Sequence, residues 1–243
     1  MWALFKKEIS SFFSSLIGYV TIGVFLLVNS LFLWVFQVDM NILDYGYANL
    51  DGLFILGPFV FLFLIPAITM KSFSEERKTG TIELLVTRPI TDYQIVFAKF
   101  LGGLVIVFFS LLPTLIYYIS VYRLGYPVGN IDTGATWGSY IGMLLLGASF
   151  VSIGLFSSSI SNNQIVAFIL AICISAFLYL GFQFVYSFDL FGKIDLFIKE
   201  LGMSAHYSSL SRGVVDTRDI LYFLSIIAVF LSLSKISIAS RKW

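Results

Sequence analysis

Six long runs of apolar residues, separated by shorter polar segments, divide this chain. Each run is long enough to cross the roughly 30 Å hydrocarbon core of a bilayer as a helix, which takes about 20 residues. The six predicted spans are residues 16–38, 53–70, 100–122, 137–157, 165–186 and 220–234. The last is the shortest and needs residues 237–239 to reach full length. The pattern therefore predicts an all-α integral membrane protein with six transmembrane helices.

The fourth span differs from the others in its glycines, which are Gly138, Gly142, Gly147 and Gly154. Small residues four apart, as Gly138 and Gly142 are, let two helices approach closely. A lipid-facing helix that the glycines merely loosen is the alternative. We predict instead a buried helix at a packing seam.

Composition supports a membrane protein and removes several classes of function. The 243 residues are 58% hydrophobic and only 12% charged, whereas soluble domains average about 25% charged residues. The formal net charge is only +1 and the basic residues form no cluster in the sequence, so we expect no positively charged surface that would bind nucleic acid. One cysteine, Cys173, excludes an intrachain disulfide and a cysteine-cluster metal site, and one histidine, His206, excludes a histidine-rich zinc site. We expect no cofactor, no metal and no nucleic-acid partner.

The first 15 residues predict a helix that lies on the membrane surface. Its apolar side chains recur at helical spacing on one face: Trp2, Phe5, Ile9, Phe12, Phe13 and Leu16. Lysines and serines occupy the remainder, as in interfacial amphipathic helices. A cleaved signal peptide is disfavoured, because the apolar run after Lys7 exceeds the usual length of about 7–15 residues. The helix is either a plain anchor or a lever that touches a cytoplasmic partner, and the sequence leaves both open.

The distribution of charge orients the spans. Most of the 15 Lys and Arg residues fall on the side that holds the N-terminus, and basic loops favour the cytoplasm. The first loop on the other side, residues 39–51, holds three aspartates and no base. We predict a multi-pass protein of the plasma membrane with both termini in the cytoplasm.

The densest run of charged and turn-forming residues lies at 71–92, on the predicted cytoplasmic side, and is called the elbow below. The second span is expected to continue as helix to Lys78, because Gly80 can adopt the left-handed conformation that ends a helix. Thr91 and Gln94 have the spacing of a capping box, which predicts the start of the helix that leads into the third span.

A short helix at 82–87 is predicted between these two helix ends. Thr81 is its expected N-cap, and Pro89 stops it. It carries Ile82, Leu84, Leu85 and Val86, flanked by Glu83 and Arg88. A helix this short is not stable without packing. It either packs on the protein's own helix ends or inserts into a groove of a soluble partner.

At these residues the chain resembles the type-2 ABC exporter permeases. The family pattern is an acidic/basic pair, Gly-Thr, a hydrophobic residue, Glu, Leu-Leu and then Pro. The residues that match it are Glu76, Arg77, Gly80, Thr81, Glu83, Leu84, Leu85 and Pro89. Six spans, cytoplasmic termini, an amphipathic N-terminal helix and a long last outer loop are similar too. Within the family, the chain most resembles the gliding-motility-associated ABC transporter permeases.

The resemblance implies that the elbow contains the coupling helix, which docks on a separate ABC ATPase subunit. The implied coupling interface comprises Glu75, Glu76, Arg77, Lys78, Gly80, Thr81, Ile82, Glu83, Leu84, Leu85, Arg88 and Pro89. It also implies a single permease domain over residues 1–243, in a bacterial inner membrane, paired with a second copy or a paralogous permease. Short re-entrant helices are implied in the last outer loop, residues 187–219.

No phosphate-binding loop of the form G-x-x-x-x-G-K-[ST] occurs, so ATP hydrolysis is expected in a partner and this chain is not predicted to be an enzyme. The predicted spans hold almost no charge, which disfavours an ion-coupled pump. The leading interpretation is the membrane subunit of an ATP-driven exporter, in which ATPase closure pushes the short helix and opens the outer loop. The alternative is a secondary transporter or channel that works without ATP. An intramembrane enzyme is a third class, for which no nucleophile–base pair is found.

Charged residues of the last outer loop have no predicted role in transport. His206 is expected to be a surface or packing residue rather than a ligand. Arg212, Asp216, Arg218 and Asp219 are expected to be solvated loop charges.

Overall fold

The computed structural model describes residues 1–44, 46–81, 90–189, 192–213 and 215–240. Within these ranges every regular element is a helix or a single helical turn. The helices are α1 (Trp2–Ser14), α2 (Leu16–Ser30), α3 (Asp51–Thr69), α4 (Lys71–Lys78), α5 (Asp92–Leu111), α6 (Leu115–Leu124), α7 (Thr133–Ile160), α8 (Gln164–Ala176), α9 (Phe182–Ser187), α10 (Lys193–Glu200), α11 (Met203–Leu210) and α12 (Thr217–Ala239). Shorter turns join some of them: Leu31–Val35 and Phe177–Gly181 are π-helical, and Leu112–Thr114 is 3-10.

Six helical stretches among the described residues are long and apolar enough to cross a membrane. They are Gly18–Val35, Asp51–Lys78, Asp92–Leu124, Thr133–Ile160, Gln164–Ser187 and Thr217–Ala239. Each overlaps one predicted span, so the predicted all-α, six-span architecture is confirmed. The helices extend beyond most of the predicted apolar runs, because polar N-caps and helix ends outside the apolar part add turns.

The bundle is built around α7, which packs against α3, α5, α8 and α12. Of its apolar window, 78% is buried, against 22% for α12. Glycines allow neighbouring helices to approach α7 closely, because a Cβ on Gly147 would lie 2.6 Å from Cγ1 of Val107 in α5, and one on Gly142 would lie 2.9 Å from Cβ of Leu210 in α11. The predicted packing seam is therefore confirmed.

The peripheral helices turn apolar side chains outward. Only 28% of the α2 window and 22% of the window that spans α8 and α9 are buried. An apolar surface of this extent fits contact with lipid or with another membrane subunit.

The N-terminal segment forms the predicted amphipathic helix, α1, which packs against α5 and α2. Leu4 is its one buried residue, and Trp2 is exposed. The predicted apolar face is therefore exposed or half-buried and free to contact a membrane surface. The face toward α5, with Leu4 and Glu8, was not predicted from the periodicity.

The bundle has two distinct ends. The elbow end holds α1, α4 and the start of α5, and the loop end holds residues 125–132, 192–213 and 215–216. Two helices, α10 and α11, form within the last loop, which confirms the expected short helices there. Whether they re-enter the membrane stays a prediction.

Helix α11 is fixed to the bundle by its buried face, which comprises Met203, Tyr207 and Leu210. The Tyr207 hydroxyl donates a 2.7 Å hydrogen bond to the carbonyl oxygen of Phe54 in α3. Pro58, four residues after Phe54, has no N–H and cannot supply the usual helical bond to that carbonyl. Tyr207 therefore satisfies a backbone group that the proline leaves free. Burial, and then the neighbouring Tyr179 phenol, raise the pKa of Tyr207 well above its usual value, so the hydroxyl stays a donor.

Candidate functional site

The first half of the elbow is held at a joint between α3 and α4. Helix α3 ends at Thr69 and α4 begins at Lys71, and Met70 between them keeps a helical backbone conformation. The Ser158 hydroxyl of α7 accepts hydrogen bonds from the backbone N–H of Phe73 at 3.0 Å and of Ser74 at 3.1 Å. It donates to the carbonyl of Met70 at 2.9 Å. Three bonds through one buried hydroxyl therefore fix the start of α4 to α7.

The end of α4 follows the expected local rules. Gly80 has φ +71°, the left-handed conformation predicted for it. The N–H of Thr79 donates to the carbonyl of Glu75 at 2.9 Å, and the Thr81 hydroxyl lies 3.4 Å from the carbonyl of Glu76. Lys78 is therefore the last residue of the helix that continues the second span, as predicted.

The predicted coupling helix lies outside the described residues. Of the predicted coupling interface, Ile82, Glu83, Leu84, Leu85, Arg88 and Pro89 fall in the undescribed range 82–89. The short helix and the N-cap role of Thr81 therefore stay predictions. The chain resumes with the predicted capping box, in which Gln94 N–H donates to the Thr91 hydroxyl at 3.4 Å and Thr91 N–H donates to Gln94 Oε1 at 3.3 Å.

A buried ion cluster lies immediately behind the elbow. Lys99 Nζ lies 2.8 Å from Glu76 Oε1 of α4 and 3.1 Å from Glu8 Oε1 of α1, and it donates to the carbonyl of Ser72 at 2.8 Å. The Nζ atom also lies 5.0 Å from the centre of the Phe73 ring, a cation–π contact. We call Glu8, Glu76 and Lys99 the Lys99 cluster. It joins three helices, α1, α4 and α5, through one ammonium group.

The Lys99 cluster is largely shielded from solvent. The Lys99 side chain is 2% exposed, and those of Glu8 and Glu76 are 12% and 14% exposed. Glu76 Oε2 is buried without a hydrogen-bond partner among the described residues. A polar cavity of about 320 Å³ borders the cluster, and Lys71 and Glu75 line it as well.

The sequence did not point to this cluster. Lys99 belongs to the predicted cytoplasmic side by its place just before the third span, and the sequence offered no partner for it, yet the residue is only 3% exposed. The sequence did hold one indication of its burial, because the residues on either side of it, Ala98 and Phe100, are apolar, and both are buried in the structure. Of the predicted interface, Glu76 enters the cluster, whereas Glu75, Lys78 and Gly80 are exposed.

A second polar cluster lies at the loop end and corrects the prediction for Asp219. This residue is 6% exposed, and its Oδ1 lies 2.7 Å from His206 Nδ1, so it is not a solvated loop charge. It begins the last span, where α11 covers it. His206 is a packing residue, as expected. Arg212, Asp216 and Arg218 are indeed exposed.

The loop end also holds a cavity of about 580 Å³. Its apolar wall includes Phe54, Phe59 and Tyr179, and its polar wall includes Asp51 and Arg212. This volume lies within the range of about 300–1,000 Å³ that is usual for small-molecule sites. Among the described residues, no group of three His, Cys, Asp or Glu side chains could hold a metal ion.

A family model described as "ABC-2 family transporter protein" matches residues 2–237. The "Probable multidrug ABC transporter permease YbhR" of Escherichia coli K12 is 30% identical over 102 residues, which is 42% of this chain and 26% of the relative. The protein of the same name from Escherichia coli O157:H7 matches equally well. The aligned stretch thus spans about a quarter of the length of these relatives.

Proposed function

The chain belongs to the ABC-2 transporter family, and on that premise we propose that it is the membrane subunit of an ATP-driven exporter. A separate ATPase subunit binds the elbow on the cytoplasmic side, and its movement on ATP hydrolysis is passed to the bundle. The observation that carries this proposal is the Lys99 cluster, because it joins the elbow to helices on both sides.

A force on the elbow has a continuous path into the spans. Helix α4 continues α3, and Ser158 bonds its first turn to α7. Glu76, further along α4, bonds to Lys99 of α5. Backbone hydrogen bonds and buried ion pairs resist sliding, because their partial loss leaves polar groups unpaired. The elbow ends of α3, α5 and α7 therefore move together with α4.

The same cluster favours one of the two roles left open for α1. A plain anchor would need only its apolar face in the membrane. Glu8 instead reaches inward to Lys99, and Leu4 is buried against the bundle. Helix α1 therefore acts as a lever that moves with α4, within the coupling unit.

Cargo leaves through the loop end in this proposal. ATPase closure tilts the second and third spans, and the last outer loop opens. The spans carry few charges, so an apolar or bulky cargo suits them better than an ion. The relatives carry the name "Probable multidrug ABC transporter permease", which is compatible with export of an apolar cargo by this chain.

A complete transporter needs a second membrane subunit in this proposal, either another copy or a paralogous permease. The outward apolar surfaces of α2, α8 and α9 provide area for such a contact. A bacterial inner membrane with cytoplasmic termini, and a role in gliding motility, stay predictions from the resemblance.

Copurification tests the elbow directly. Glu83→Arg, and separately Leu84→Asp with Leu85→Asp, are expected to abolish association with the ABC ATPase in native membranes, because they reverse the charge or remove the apolar face of the predicted short helix. Associated chains are identified by mass spectrometry after affinity purification, and membrane insertion is checked by protease protection.

Glu200→Arg is the matched control, because it reverses an exposed acid at the opposite end of the bundle. It is expected to leave the ATPase bound. Association that survives both elbow changes would contradict the docking role of the elbow. Vesicle transport driven by a proton gradient without ATP would instead favour the secondary transporter.

A further inference from the structure

One wall of the loop-end cavity is continuous with the lipid-facing surface of the bundle. Asp51, Ile55 and Phe59 of α3 line the cavity, and their spacing of four residues places them on one face of the helix. Ile55 is 50% exposed and Phe59 is 42% exposed, although both belong to a membrane-spanning helix. Phe63 continues this face beyond the cavity and is 56% exposed. A molecule from the bilayer can therefore enter the cavity from the side, along α3.

The cavity changes from polar to apolar along the same face. At about 1.5 Å per residue, Asp51 and Phe59 are about 12 Å apart along the helix axis. The headgroup layer is about 5–8 Å thick on each side of a bilayer. With Asp51 at headgroup level, Phe59 lies at the depth of the acyl chains. There the Tyr179 ring meets Phe59 edge to face, with centroids 6.1 Å apart. An occupant with a charged head and an apolar chain matches this gradient.

Opposite charges line the polar part of the cavity without pairing. Asp51 and Arg212 both line it, yet no salt bridge joins them among the described contacts. Arg212 Nε donates to the Ser208 carbonyl at 3.1 Å, and its two terminal nitrogens have no partner within the described chain. Asp51 Oδ2 accepts from Asn49 Nδ2 at 3.0 Å, and Oδ1 has no described partner. The space between the two side chains fits a group that carries both signs of charge.

We propose that this cavity binds a zwitterionic phospholipid from the leaflet at the loop end. Its phosphate lies against Arg212, its ammonium group lies against Asp51, and one acyl chain follows Ile55 and Phe59. A guanidinium group matches phosphate through paired hydrogen bonds, and an ammonium group donates to a carboxylate. An anionic phospholipid satisfies Arg212 as well, but it brings its net charge close to Asp51 and to Asp132, a second acid of the cavity wall.

Two further polar groups are available to the headgroup. The Ser204 hydroxyl of α11 and the Gln183 amide of α9 line the cavity and make no hydrogen bond within the part of the chain that the structure describes. Both can donate to phosphate or ester oxygens. The bound lipid thus contacts α3, α9 and α11 at once. The site does not require an ATPase at the elbow and is independent of the proposed function.

Lipid retention measures the site in the full chain. The protein is reconstituted in nanodiscs that contain phosphatidylethanolamine and phosphatidylglycerol in equal amounts, with identical acyl chains. It is then transferred into mild detergent, and the lipids that remain bound are identified by native mass spectrometry. We expect the retained lipid to be enriched in phosphatidylethanolamine about fivefold over the bilayer ratio, as when one partly exposed ion pair distinguishes two headgroups.

Two substitutions separate the contacts of the headgroup. Asp51→Asn keeps the size of the side chain and removes the partner of the ammonium group, so the enrichment is expected to disappear while phosphatidylglycerol is still retained. Arg212→Gln removes the partner of the phosphate, which both lipids carry, so retention of both is expected to fall about fivefold. Asp44→Asn and Arg218→Gln are the matched controls, because these exposed residues do not line the cavity. Both controls are expected to keep the wild-type retention and ratio.

Three results would overturn the proposal. The first is a wild type that retains the two lipids in the bilayer ratio, and the second is an Asp51→Asn chain that keeps the enrichment. The third is displacement of the lipid by glycerophosphoethanolamine, the headgroup without acyl chains, because the cavity would then take a soluble zwitterion rather than a membrane lipid. The wild-type ratio decides even if a variant fails to fold. None of these results depends on ATPase binding, so they are distinguishable from failure of the proposed function.

Discussion

Replacement of Lys99 by methionine is the sharpest test of the elbow-end structure. Methionine fills a similar volume, so the change removes the charge and its hydrogen bonds with little loss of packing. Glu8 and Glu76 are then left side by side, 12% and 14% exposed, without a cation between them. Removal of one partner from a buried ion pair costs about 3–5 kcal/mol. Since both carboxylates retain some solvent, we expect about 3 kcal/mol, at the lower end of that range.

Thermal unfolding in lipid nanodiscs checks this magnitude. A loss of about 3 kcal/mol corresponds to a decrease in Tm of about 6–12 °C for a chain of this size. Lys71→Met is the matched control, because Lys71 lines the same cavity, is half-buried and makes no ion pair among the described contacts. Its Tm is expected to change by less than about 2 °C. A Lys99→Met chain with the Tm of the control would refute the reasoning from buried charge.

A triple variant separates stability from coupling. With Glu8→Gln, Glu76→Gln and Lys99→Met together, no uncompensated charge remains, and stability is expected to return to within about 1 kcal/mol of the wild type. ATP-driven transport by the complex is expected to stay below that of the wild type, because the ionic link between α4, α1 and α5 is gone. If the stable triple variant transports as well as the wild type, the Lys99 cluster contributes to stability but not to coupling.

Two further predictions concern hydrogen bonds that complete the helix joints. Ser158→Ala removes the acceptor for two buried backbone N–H groups and is expected to lower the unfolding free energy by about 2–3 kcal/mol, whereas Ser157→Ala, whose hydroxyl bonds only within α7, should cost less than about 1 kcal/mol. Tyr207→Phe leaves the Phe54 carbonyl unpaired and is expected to cost about 1–2 kcal/mol in the wild type but less in a Pro58→Ala background, where the new N–H bonds that carbonyl. Denaturation in nanodiscs measures both, and an equal cost of Tyr207→Phe in the two backgrounds would contradict the role assigned to Tyr207.

The elements predicted well are those fixed by local chemistry. Hydropathy located all six spans, because the bilayer thickness imposes a length on each apolar run. The positive φ of Gly80 and the capping box at Thr91 follow from rules that involve only a few neighbouring residues. The burial of α7 was predictable for a similar reason, since the spacing of its glycines is itself the signature of close packing.

The Lys99 cluster and the His206–Asp219 contact were missed because the residues that meet are separated in sequence. Glu8 and Glu76 lie 91 and 23 residues from Lys99, and they meet only after α1 has packed across α5. In the sequence alone, Glu8, Glu76 and Lys99 are each a charged residue near the end of an apolar run, and such residues usually have solvated side chains. Asp219 was misassigned for the same reason, since its position near a helix start resembles that of the exposed Asp216. Its partner His206 lies on a separate short helix.

The location of the two clusters has a physical cause that connects fold and function. Apolar side chains do not hold helices together in lipid by exclusion of water, because lipid tails are equally apolar. Polar contacts at the helix ends therefore decide which peripheral helix moves with which span. The Lys99 cluster binds α1 and α4 to α5, and the His206–Asp219 pair binds α11 to α12. Neutralisation of the Lys99 cluster, or removal of the His206–Asp219 hydrogen bond, should accordingly change which helices move together, while the six-span bundle, held by the close packing along α7, remains assembled.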